Sequence, residues 1–255
     1  NVAVGLNALT ANTSGYNNTA LGSGAASGLT TGGDNVAVGF NTMLATVTGN
    51  ENTAIGNDSL KALTTGNNNV AAGANALAAN ASGINNTAVG TNSLQDNTTG
   101  DYNTAIGQAA LGDNTTADNN TAVGKSALRV NTTGQYNVAV GNYALDANTT
   151  ASQNTAVGVF GLSNNTTGVN NTAMGYASLI TNTTASNNTA VGHNALYANT
   201  TGGNNAAAGK NALVANTTGT QNTSVGASAL EANTTANYNT AVGASALVVN
   251  TTGAQ

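Results

Sequence analysis

The side chain with the widest chemical range in this chain is its one histidine, His193. Around it the sequence offers four basic and nine acidic residues, no cysteine, and a run, Gly124-Lys125-Ser126, that ends like a phosphate-binding loop. Such a loop needs another glycine five residues before Gly124, because its backbone N–H groups must close round the phosphate; Asn119 stands there. Gly22-Ser23-Gly24 opens like a dinucleotide fingerprint but lacks the strand–turn–helix setting that gives it meaning. Asp96 and Asp113 can flank a cation, yet they lack the ligand density of a calcium loop. No nucleophile, base and acid stand together, and His193 has no placed partner. The expectation is a protein that is not an enzyme, with no cofactor and no metal.

Two other residue types point to surfaces. The acceptor pattern N-x-[ST] starts at Asn12, Asn80, Asn97, Asn114, Asn131, Asn148, Asn165, Asn182, Asn199, Asn216, Asn233 and Asn250. Further copies start at Asn17, Asn85, Asn119, Asn170 and Asn187. Glycosylation at the first set requires those side chains to face solvent. Turn and ladder chemistry explains the same residues without any glycan. Tyr102, Tyr136 and Tyr238 offer rings that can stack on sugars or meet a partner, so a carbohydrate or a host surface is the ligand class considered.

The elements that must carry these groups are unusual in composition. Charged residues make up 5% of the chain, where ordinary domains carry roughly 25%. Four Lys and Arg against a net charge of −5 leave no basic patch for nucleic acid. No apolar run reaches the ~20 residues of a membrane helix, so no direct membrane insertion is expected. Asn1 opens directly on a repeat, and no signal peptide is visible.

That repeat organises everything else. A glycine recurs every 17 residues from Gly5 through Gly22 and Gly39 to Gly243, with no insertion or deletion, and fifteen copies fill residues 1–255 as a single array. Numbered 1 to 17, the unit reads N-T-A-V-G-x-x-A-L-x-x-N-T-T-G-x-x. All charged residues, His193 and every Tyr and Phe fall at positions 6, 7, 10, 11, 16 or 17. A constant skeleton thus carries a variable skin.

Seventeen residues are too few for two helices and their turns, and Asn, Thr and Gly form helices poorly. A strand at positions 1–5 and a second at about 8–14 fit better. The lack of any Asn-Gly pair argues against antiparallel hairpins. Equal repeats favour an all-β, parallel β-solenoid of fifteen 17-residue coils, a rod of roughly 70 Å at the usual strand spacing. Position 1 then stacks as an amide ladder: Asn1, Asn18, Asn35, Asn52, Asn69, Asn86, Asn103, Asn120, Asn137, Asn154, Asn171, Asn188, Asn205, Asn222 and Asn239. Thr at position 14 is expected to form a hydroxyl column. Position 5 calls for Gly at a left-handed or crowded corner. Position 15 accepts Ala117, Ala151, Ala185 and Ala236, so it needs smallness more than positive φ. Positions 4 and 9 are expected in a thin core, and the small residues at 3, 8 and 11 against another copy of the chain. No end repeat differs from the rest, which reads as a segment of a longer fibre.

The stretch N-T-A-V-G-x-x-A-L, and most closely NTAIG at Asn52–Gly56 and Asn103–Gly107, resembles the head repeats of trimeric autotransporter adhesins and is similar to repeats of phage and bacterial tail-fibre-like proteins. The resemblance spans every repeat but about nine of its 17 positions. It implies a left-handed β-roll, a homotrimer and a place outside the cell. The regular N-T-T-G insert makes these repeats longer than the family's usual ones, and no neck, stalk or anchor follows in this sequence. The reading that results is a structural, adhesive extracellular fibre segment that is stiff and self-associating as a trimer or fibril. The alternatives are a glycan-coated surface filament and an ice-binding solenoid whose N-T-T column orders water.

Overall fold

The computed structural model describes residues 1–253. It is a parallel β-solenoid of 17-residue coils, without helix among the described residues. The chain forms two compact units, Asn1–Ser126 with Val130–Thr133 and Ala127–Arg129 with Gly134–Gln255.

Each coil contributes one three-residue strand at positions 2–4. The first unit holds β1 (Val2–Val4), β2 (Thr19–Leu21), β3 (Val36–Val38), β4 (Thr53–Ile55), β5 (Val70–Ala72), β6 (Thr87–Val89), β7 (Thr104–Ile106) and β8 (Thr121–Val123). The second holds β9 (Val138–Val140), β10 (Thr155–Val157), β11 (Thr172–Met174), β12 (Thr189–Val191), β13 (Ala206–Ala208), β14 (Thr223–Val225) and β15 (Thr240–Val242). Within each unit, neighbours pair in parallel with like positions opposed, as in Thr87↔Thr104, Ala88↔Ala105 and Val89↔Ile106.

The expected second strand does not form. Positions 6–11 are turn, because positions 7 and 9 both take positive φ, as at Asn92 (59°) and Leu94 (47°). Leucine rarely adopts that region, yet every position-9 residue does so here. The turn still bonds along the stack: Leu94 N donates to Ala110 O and Asp96 N to Gly112 O, each at 3.0 Å. Burial of the leucine and this bonding hold the strained residue in place. Position 5 needs glycine for two reasons. Gly90 sits at φ 129°, and a Cβ there would lie 2.7 Å from the Gly107 backbone.

The core is not the one the pattern suggested. Alternation along the strand turns position 3 inward and positions 2 and 4 outward. Ala88 and Ala105 are fully buried, while Val89 and Ile106 stay about 40% exposed. The interior is therefore chiefly alanine at 3, small residues at 8 (alanine, with Thr42, Ser59, Ser93, Gly161 and Ser178), mostly leucine at 9, and two columns rich in asparagine. Positions 3 and 8, expected against a neighbouring copy, face inward instead.

Candidate interaction surface and the ladders that support it

The position-1 asparagines are buried from Asn18 to Asn239. Most of these side chains make three kinds of bond, as Asn103 does. Asn103 Nδ2 donates to Ala117 O of its own coil at 2.8 Å and to Asn86 Oδ1 at 3.2 Å. The same Asn86 Oδ1 accepts the Asn103 backbone N–H at 2.9 Å. Every polar atom is thus satisfied without water, as burial demands.

Position 12 forms a second ladder, at the asparagines for which the sequence left both ladder chemistry and glycan attachment open. Asn80, Asn97, Asn114, Asn131, Asn148, Asn165, Asn182, Asn199, Asn216 and Asn233 are wholly buried. Asn12 and Asn250 are half-buried. In the first unit Asn97 Nδ2 donates to Asn80 Oδ1 at 2.9 Å and Asn114 Nδ2 to Asn97 Oδ1 at 2.8 Å. In the second, Asn182 Nδ2 reaches Asn165 Oδ1 and Asn216 Nδ2 reaches Asn199 Oδ1, both at 2.9 Å. A glycan replaces a proton on that same nitrogen and needs it in solvent. The ten buried sequon asparagines therefore do not fit glycan attachment on the folded coil.

Both ladders converge on one carbonyl, that of position 15. Gly83 O accepts Asn69 Nδ2 at 2.8 Å and Asn80 Nδ2 at 3.1 Å. The hydroxyl column is also displaced from the expected position. It is position 13 that bonds, with Thr98 Oγ1 donating to Thr115 O at 3.0 Å and Thr217 Oγ1 to Thr234 O at 3.0 Å. Position 14 is exposed, as at Thr99 and Thr201.

These ladders leave one regular surface, the outer face of the strands. Position 4 displays an apolar column that includes Ile55, Val89 and Ile106 in the first unit and Met174, Val191 and Val225 in the second. Position 2 lies beside it, mostly threonine. The hydroxyls of Thr87, Thr104, Thr155 and Thr172 make no hydrogen bond among the described residues. No charged residue falls at either position.

The remaining candidates scatter. Lys125 and Asp96 are exposed and Asp113 is half-buried, and no group of three His, Cys, Asp or Glu able to hold a metal occurs among the described residues. No pocket opens on the described surface. Tyr102, Tyr136 and Tyr238 are exposed, with no ring contact among the described residues. His193 is not isolated: it stacks on Tyr176 at 5.3 Å, at the end of a column in which Tyr143 meets Phe160 at 5.5 Å and Phe160 meets Tyr176 at 6.1 Å. The signal for that column was present in the sequence, as one ring per coil at position 6 or 7 in four successive repeats. Comparison with protein-family models, curated proteins and solved structures yields no match.

Proposed function

We propose that the chain is a non-enzymatic structural fibre segment whose copies pack through the outer faces of their strands. The observation that carries this reading is the position-4 column: an apolar side chain in every coil, exposed at Leu21, Ile55, Val89, Ile106, Met174, Val191 and Val225 and half-buried at Val38, Val123, Val140 and Val157, with no charged residue at position 2 or 4. Single exposed valines need no explanation, but a contiguous apolar strip marks a contact surface. A second copy of the same chain offers a strip of identical spacing, so every coil finds the same partner. The ladders contribute stiffness, and the skin at positions 6, 7, 10, 11, 16 and 17 supplies contacts to a surface or a carbohydrate. A left-handed coil, a three-copy assembly and an extracellular location belong to this proposal through the resemblance to adhesin head repeats.

Light scattering after size exclusion tests it. The intact chain is expected to run as an oligomer, and the double variant Val157→Glu, Met174→Glu as a monomer with unchanged circular dichroism. A monomeric intact chain sinks the proposal.

The free hydroxyls at position 2 favour a second reading, in which the same flat face orders water as an ice-binding surface. It moves that activity from the N-T-T column, whose asparagine is buried and whose position-13 hydroxyl is already bonded. Thermal hysteresis by a monomeric chain is the expected sign, and freezing behaviour equal to buffer removes it.

A further inference from the structure

Position 15 comes in two kinds, and the stack responds to the difference. In a glycine coil this residue lies hard against the next coil: a Cβ on Gly202 would sit 2.3 Å from Gly219 O, and one on Gly168 only 2.2 Å from Ala185 O. Four coils nevertheless carry that Cβ, as Ala117, Ala151, Ala185 and Ala236. The next coil must therefore yield at this corner.

Two independent sets of bonds record the yielding. The first is the backbone bond from position 13 to the position-13 carbonyl of the next coil. From glycine coils it is short: 2.8 Å at Thr98, Thr166 and Thr217, and 2.9 Å at Thr200. From alanine coils it is 3.4 Å at Thr115, Thr149 and Thr183, and 3.3 Å at Thr234. The second set is the position-12 amide ladder. Across glycine coils its rungs are 2.8–2.9 Å, as from Asn114 to Asn97 and from Asn182 to Asn165. Across alanine coils they are 3.2 Å from Asn131 to Asn114 and from Asn165 to Asn148, 3.1 Å from Asn199 to Asn182, and 3.5 Å from Asn250 to Asn233. The two sets sort the coils identically.

The opening is confined to this corner. Across the same alanine coils the strand-side bonds hold at 2.8–2.9 Å, at 2.9 Å from Thr104 N to Asn120 O and from Val138 N to Asn154 O, and at 2.8 Å from Thr172 N to Asn188 O and from Thr223 N to Asn239 O. On its other side each alanine coil is tied down. Its position-16 side chain accepts the position-16 N–H of the preceding coil: Asp118 Oδ1 from Asp101 at 2.8 Å, Ser152 Oγ from Gln135 and Ser186 Oγ from Val169 at 3.0 Å, and Asn237 Oδ1 from Thr220 at 2.6 Å. No two alanine coils are adjacent, so each opened corner faces a glycine that brings no second Cβ into the gap.

We infer that the alanine coils are built-in compliant seams: each is fastened to the coil before it and loosened from the coil after it at one corner. Under thermal fluctuation or load the corner opens there first, while the strand face stays intact. The inference stands whether or not copies associate.

Amide hydrogen exchange at position 13 tests this directly. All eight threonines compared follow an asparagine, so their intrinsic exchange rates match. Thr115, Thr149, Thr183 and Thr234 are expected to exchange about five- to tenfold faster than Thr98, Thr166, Thr200 and Thr217. Ala185→Gly is expected to slow Thr183 to the glycine-coil rate, and Gly202→Ala to speed Thr200 by a similar factor. Equal rates in the two classes, or a Thr183 rate untouched by Ala185→Gly, overturn the inference.

Discussion

Coils 2 to 4 and coils 5 to 7 build the same corner from opposite materials. In coils 5 to 7 the corner is polar, with Asn80, Asn97 and Asn114 bonded rung to rung and each donating to a position-15 carbonyl. In coils 2 to 4 it is apolar, with Leu29, Val47 and Leu63 all wholly buried. Position 12 of coil 3 is Thr46, and the coil does not bury it. The chain slips by one residue, so that Leu29 bridges to Val47 and Thr46 turns out to solvent. Register is regained by Gly49, whose carbonyl accepts Asn35 Nδ2 at 3.0 Å. The corner therefore demands a filled column more than a particular chemistry. A mixed column is what it avoids, because a lone polar group among apolar neighbours stays unpaired.

Substitutions can break this comparison in graded steps. The largest loss is expected where the two regions are alike. Gly39→Ala and Gly90→Ala force a Cβ against the next coil's backbone at a positive φ, and each is expected to lower the unfolding free energy by about 3 kcal/mol or more. A clear inequality between the two in urea titration would show that the regions differ beyond the corner. Next comes Asn97→Ala, which strips a donor from Asn80 Oδ1 and Gly100 O and an acceptor from Asn114. About 3 kcal/mol of destabilisation is expected, and a loss under 1 kcal/mol would mean the polar ladder adds little. Val47→Asn places an amide between two leucines and is expected to cost about 2 kcal/mol. The smallest effect belongs to Leu63→Asn. It gives up the burial of one leucine, but it adds a rung beneath Asn80 and a donor for Gly66 O, for a net change of about 1 kcal/mol. If Leu63→Asn proves as damaging as Val47→Asn, the ladder cannot be extended and the two corners are not interchangeable.

Much of this was legible in the sequence, and for a physical reason. A period of 17 without indels admits a stack of equal coils, and an invariant Asn inside such a stack has few uses other than a ladder. What stayed hidden was direction. Position 4 looked like core because it is apolar, but a three-residue strand can turn only its middle residue inward, and that residue is Ala. Position 12 allowed both an acceptor site and a ladder rung, and only the fold shows its amide buried and bonded on both sides. The second strand was misplaced because nothing in Leu94 or Leu145 announces a positive φ; neighbouring coils impose it. The candidate surface at positions 2 and 4 followed only once the strand's facing was known.

The ladders have one further consequence. Every rung points the same way: the amide nitrogen of one coil meets the amide oxygen of the coil before it. Aligned dipoles of this kind polarise one another, so each bond is strengthened by those above and below it. A ladder of this sort behaves less like separate rungs than like a row of magnets. The same asparagine-to-alanine change should therefore cost more at Asn182, deep in its row, than at Asn80, where the row begins beside Leu63.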